Sequence, residues 1–98
     1  MTGYLRNTTE TLQKLKPTLA SLYNVDTIGV FGSIVRDDFV PDTSDVDIVV
    51  NFTQPIGIEF IDLSFLLEKE LARKVDLVSL NGLKSKYFKE IEKEIVYV

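Results

Sequence analysis

At 98 residues the chain has room for one hydrophobic core and little beside it, so a single domain over residues 1–98 is expected, without a separate substrate domain. Apolar residues make up 45% and charged residues 27%, an ordinary globular balance, and a net charge of −4 removes the cationic field that nucleic acid or an anionic membrane requires, so direct nucleic-acid binding is not expected. With no cysteine and no histidine, thiolate metal sites, disulfides, cysteine nucleophiles and imidazole acid–base chemistry are excluded, which leaves carboxylates, hydroxyls, lysines, arginines and metal ions.

The N-terminal Met1-Thr-Gly-Tyr-Leu-Arg-Asn lacks the apolar core of a signal peptide, and no run reaches the roughly 20 apolar residues of a membrane span. A cytoplasmic location and no membrane association are therefore expected. Residues 8–23 have Leu12, Leu15, Leu19 and Leu22 on helical spacing, with Thr8 or Thr9 as the cap, Pro17 expected to kink or restart the helix, and Asn24 ending it. Residues 27–31 (T-I-G-V-F) read as a short strand that breaks at Gly32-Ser33, followed by a brief helical turn over 34–38. The turn formers Pro41, Asp42, Thr43 and Ser44 then lead into a central strand, D-V-D-I-V-V-N-F, over 45–52.

Residues 57–74 have helical length and two apolar stripes. Phe60, Leu63, Leu67 and Leu71 can cover a sheet, whereas Ile58, Ile61, Phe65 and Ala72 call for another helix or another protein. K-V-D-L-V-S-L (74–80) is the next strand, Asn81-Gly82 a turn, 84–94 a charged helix, and 95–98 a terminal edge strand. This alternation predicts an α/β (α+β) fold, a small mixed sheet with helices packed on it.

The candidate chemistry lies in three short stretches. Asp45 and Asp47, two apart on a strand, share a face with Cα atoms roughly 6.5–7 Å apart, so they can hold a divalent cation, or they can be two solvated acids at a strand end. Gly32-Ser33 at the end of a strand offers close backbone approach and a hydroxyl donor to a phosphate, or is a common turn. Asp76 interrupts an apolar strand; it converges with Asp45 and Asp47 if the two strands are neighbours, or it is an edge-strand acid pointing at solvent or paired with Arg73 or Lys74. G-x-x-x-x-G-K-[ST], G-x-G-x-x-G and EF-hand spacings are all absent.

Taken together, the array Gly32-Ser33, Arg36, Asp45-Val-Asp47 and Asp76 resembles the DNA polymerase β-type nucleotidyltransferase superfamily in its smallest form, the minimal nucleotidyltransferase (MNT) domain, and the resemblance runs through most of the chain, including K-V-D-L-V and the terminal I-V-Y-V. It implies a polymerase β-like palm fold. Gly32 and Ser33 would hold the β- and γ-phosphates of ATP, and Asp45 and Asp47 two Mg2+ ions. Asp76 would bind the catalytic metal and help deprotonate the attacking hydroxyl. Arg36 would neutralise the triphosphate or touch a partner, or simply pair with Asp37, Asp38 or Asp42. Eleven residues separate Ser33 from Asp45 where the family more often has ten, and Asp37-Asp38 replaces the usual Gly-Glu. Family members of this size resemble antitoxins of two-gene modules that transfer AMP from ATP to a tyrosine of a HEPN-domain ribonuclease toxin. Two other functions are compatible with the same residues: a non-catalytic antitoxin acting by binding, and a subunit of an antibiotic-type small-molecule adenylyltransferase.

Overall fold

In the computed structural model, which describes residues 3–83 and 85–98, the N-terminal leucines lie on one long helix, α1 (Gly3–Tyr23). Its buried stripe is Leu5, Thr8, Leu12 and Leu19. Leu5 and Thr8 extend the three-and-four spacing towards the N-terminus, so the helix starts before Thr8, which is a buried stripe residue and not the expected cap. Pro17 lies inside the helix without ending it. Its ring sits on the exposed side, where the carbonyl of Gln13, also exposed, can turn to water. Asn24 ends the helix with a left-handed φ of 58°.

Four strands follow: β1 (Val25–Phe31), β2 (Val46–Phe52), β3 (Val75–Ser79) and β4 (Val96–Tyr97). They form one sheet in the order β3-β2-β1-β4, with β2 parallel to β3 and β1 antiparallel to both β2 and β4. The sheet is therefore mixed, as the alternation of elements predicts, with β2 inside and the C-terminal strand at an edge. β1 begins two residues earlier than expected, because Val25 pairs with Phe52 at the far end of the hairpin.

Alternation along the strands separates two packed layers. Ile28 and Val30 of β1 and Val46, Ile48 and Val50 of β2 face Leu12 and Leu19 of α1 and Leu63 and Leu67 of α3 (Glu59–Leu71) in the main core. On the opposite face Phe31 and Val49 meet Ile91 of α4 (Ser85–Ile91) in a smaller cluster. A four-residue helix, α2 (Ser33–Arg36), buries Ile34 in the main core.

Helix α3 stops earlier than the expected Lys74. Ala72 adopts a left-handed conformation and donates its N–H to the Glu68 carbonyl, which the Arg73 N–H also reaches at 3.3 Å, so the helix closes and the chain turns towards β3. The second stripe stays open, with Ile58, Ile61 and Phe65 exposed by 77%, 53% and 63%. The expected last helix divides into α4 and a 3-10 turn at Glu92–Glu94. Lys84, where the sequence places the start of that helix, lies outside the described residues.

Candidate active site

Gly32 follows β1 directly and has φ 77° and ψ −150°, a region open in practice to glycine alone. A Cβ at this position would also collide with the Asp47 carboxylate. Two demands thus fix the residue: the chain must turn sharply into α2, and the carboxylate of the neighbouring strand must lie against the turn. The turn is closed by Val35 and Arg36, which donate their N–H groups to the Gly32 carbonyl at 3.0 and 3.2 Å.

Sheet register brings the acids together. Asp47 is the ladder partner of Phe31 in β1 and of Asp76 in β3, and the pairing is extended by the Val46 N–H donating to the Lys74 carbonyl at 2.9 Å. In-register partners point to the same side of a sheet, so Asp47 and Asp76 share a face, and Asp45, two residues before Asp47, leads into it. Asp47 is half-buried, whereas Asp45 and Asp76 are exposed. Asp76 is therefore a solvent-exposed acid on an edge strand that also stands beside Asp47 in the ladder. Arg73, one of the bases considered for pairing with it, instead donates to the Pro41 carbonyl at 2.9 Å.

The electrostatics follow. Burial, then the Asp76 and Asp45 carboxylates, push Asp47 up from 3.8 to about 6; Glu94 adds to the rise and the Arg36 cation opposes it. Uncompensated carboxylates of this kind offer the hard oxygen donors that suit Mg2+, and a cation would relieve their mutual repulsion. Their chemistry thus fits a divalent ion. Among the described residues, no three acidic side chains are yet as close as coordination requires.

Arg36 reaches beyond the acids named from sequence. Its Nη1 donates to both carboxylate oxygens of Glu94, at 3.1 and 3.2 Å, and its Nε lies 3.8 Å from Asp38. The bond to Glu94 raises its pKa. Glu94 also accepts the Gly32 N–H at 3.1 Å. Sequence reading does not find this residue, which lies 62 positions from Gly32 in a charged segment that looks like a solvated helix. Only the register reveals it: Val30 pairs with Val96 in antiparallel sense, and two further steps set Gly32 against Glu94.

The spacer of unusual length is also held. The Arg73 guanidinium lies 5.1 Å from the Tyr4 ring centre and 5.2 Å from that of Phe39, while Thr43 and Ser44 donate to the Val40 carbonyl at 3.1 and 2.8 Å. Beside this loop a cleft of about 300 Å3 is lined by Ser44, Asp45, Arg73 and Lys74, among others. A larger recess of about 370 Å3, lined by Gly3, Tyr4, Asn7, Asp37 and Phe39, contains none of the three aspartates.

A mixed sheet that seats a Gly-Ser turn against a D-x-D strand, with a further aspartate on the adjoining parallel strand, is the framework of a nucleotidyltransferase. The sequence profile of the nucleotidyltransferase domain family matches residues 12–98, and the chain belongs to that family of enzymes. It is 45% identical over 84 residues to the protein adenylyltransferase MntA of Thermococcus cleftensis, covering 85% of this chain and 84% of that one. It is 36% identical over 91 residues to MJ1217 of Methanocaldococcus jannaschii, whose name assigns it provisionally to protein adenylylation; 91% of this chain and 92% of that one are covered. Among solved structures, one described as a minimal nucleotidyltransferase superposes with a TM-score of 0.75 at 25% identity, over 92% of each chain. The fold is also shared with a chain of the structure of the tri-AMPylated Shewanella oneidensis HEPN toxin in complex with its MNT antitoxin, at a TM-score of 0.66 and 21% identity over 92% of this chain and 70% of that one.

Proposed function

We propose that this chain is a protein adenylyltransferase that transfers AMP from ATP to a tyrosine hydroxyl of a HEPN-domain ribonuclease and so acts as its antitoxin. The observation that supports the reading is the in-register pairing of Asp47 with Asp76, with the Asp47 carboxylate lying against the Gly32 turn, in a chain 45% identical to a protein adenylyltransferase. Asp45, Asp47 and Asp76 would hold two Mg2+ ions. Bound there, the ions supply charge stabilisation to the attacking and leaving oxygens of a phosphoryl transfer. The Gly32 N–H, the Ser33 hydroxyl and the Arg36 guanidinium bind the β- and γ-phosphates, which orients the α-phosphorus towards the sheet edge. The tyrosine oxygen forms the new bond to that phosphorus, the bond to the bridging oxygen breaks, and pyrophosphate leaves. Asp76 accepts the proton from the tyrosine hydroxyl. Its exposure on an edge strand suits an acceptor carried by a macromolecule.

The test is the intact mass of the co-expressed partner after incubation with this protein, ATP and Mg2+. A gain of one or more AMP masses is expected with the wild type and none with Asp45→Asn/Asp47→Asn. Transfer by that double variant would overturn the reading. A non-catalytic antitoxin is favoured by one observation, the open face of Ile58, Ile61 and Phe65. It requires the same variant to protect cells and to bind the toxin without ATP.

A further inference from the structure

The Glu94 carboxylate is held by the same groups that the proposed function assigns to the triphosphate. Its Oε1 accepts from the Gly32 N–H at 3.1 Å and from Arg36 Nη1 at 3.1 Å, while Oε2 accepts from the same nitrogen at 3.2 Å. An oxygen anion shared by a backbone N–H and a guanidinium is the arrangement a phosphoryl oxygen adopts. The position is built: Glu94 lies just before β4, whose antiparallel register on β1 sets it opposite Gly32, and its side chain is largely covered while that of Arg36 is half-exposed.

We infer that Glu94 is an internal competitor for the phosphate cradle, which triphosphate binding displaces from Gly32 and Arg36. The inference rests on the reading of Gly32, Ser33 and Arg36 as that cradle. The exchange is anion for anion, so it sets the affinity threshold for the nucleotide. An inorganic monophosphate, with fewer contacts to offer, competes poorly with a tethered carboxylate; a triphosphate that also engages the aspartates through metal competes well. Glu94 thus sets the affinity that any phosphate ligand must bring to open the cradle, and it keeps Arg36 paired when no nucleotide is bound.

The experiment is calorimetric titration of full-length wild type, Glu94→Gln and Glu94→Ala with ATP–Mg2+ and with inorganic phosphate. Removing the charged competitor should tighten ATP binding about three- to tenfold, the range expected for loss of one partly exposed charge-assisted contact. It should tighten phosphate binding by the same factor, because both ligands displace the same contacts. In 15N spectra the Gly32 amide of the wild type should shift on adding ATP, and that of Glu94→Ala should start displaced from the wild-type position. Weaker ATP binding by folded Glu94→Gln would make Glu94 a support of the cradle and overturn the inference, as would unchanged affinity. Both outcomes leave the cradle reading standing. Absence of ATP binding by all three folded proteins would overturn both.

Discussion

Replacing Asp47 by asparagine should stabilise the protein at neutral pH while removing its proposed chemistry. Asp47 is pushed from 3.8 up to about 6, first by burial and then by the Asp76 and Asp45 carboxylates. Because the folded form holds its proton more tightly than the unfolded chain, this residue costs nothing below pH 3.8, and its cost grows through the interval and is complete above about pH 6. At about 1.4 kcal/mol per pH unit the interval corresponds to about 3 kcal/mol, and screening of a half-exposed group reduces this to roughly 1–2 kcal/mol. Asparagine keeps the shape beside Gly32 without the charge. Urea unfolding followed by circular dichroism at pH 4 to 8, with EDTA present, should therefore show Asp47→Asn more stable than wild type by roughly 1–2 kcal/mol at pH 8, converging towards pH 4. A difference independent of pH, or a less stable variant at pH 8, would refute the electrostatic account of this site.

Gly32→Ala must place a side chain at φ 77° and against the Asp47 carboxylate. It should cost roughly 2 kcal/mol and lower the melting temperature by roughly 8–16 °C, with part of the loss recovered in Gly32→Ala/Asp47→Ala, where the backbone term remains and the collision is gone. An unchanged melting temperature in the single variant would contradict the assigned backbone geometry. Arg73→Ala removes the cation between Tyr4 and Phe39 and the bond to Pro41, a loss of about 1–2 kcal/mol, and should speed hydrogen exchange at the Thr43 and Ser44 amides while leaving the β2 amides protected. Equal exchange in wild type and variant would show that the loop is held by its own turns.

Much of the fold is legible in the sequence because it depends on local pattern. Leucine spacing marks α1 and α3, apolar runs mark β1, β2 and β3, and the two stripes of 57–74 correctly separate a covered face from an open one. Element ends are less legible. Thr8 looks like a cap only if the stripe is not followed back to Leu5, and Ala72 gives no sign of ending a helix, since alanine favours helix and rarely adopts the left-handed conformation it has here. Of the proposed site, Asp45, Asp47, Asp76 and Gly32-Ser33 stand out in the sequence because they border or interrupt runs that are otherwise apolar. Glu94 interrupts nothing. Its placement depends on the pairing of β4 with β1, a contact between distant parts of the chain that no short window of sequence carries.

The alternation of β2 has a consequence for how the chain finds its structure. Val46, Ile48 and Val50 serve one layer while Asp47 points to the other, so a slip of one residue against β1 or β3 would drive a carboxylate into the core beneath α1 and α3 and expose the valines. An aspartate costs roughly 1–2 kcal/mol where it belongs, and several times that when buried without a partner. The same acid that makes the native state less stable therefore makes misaligned states less stable still. Variants that neutralise it should gain stability and lose fidelity of strand alignment together.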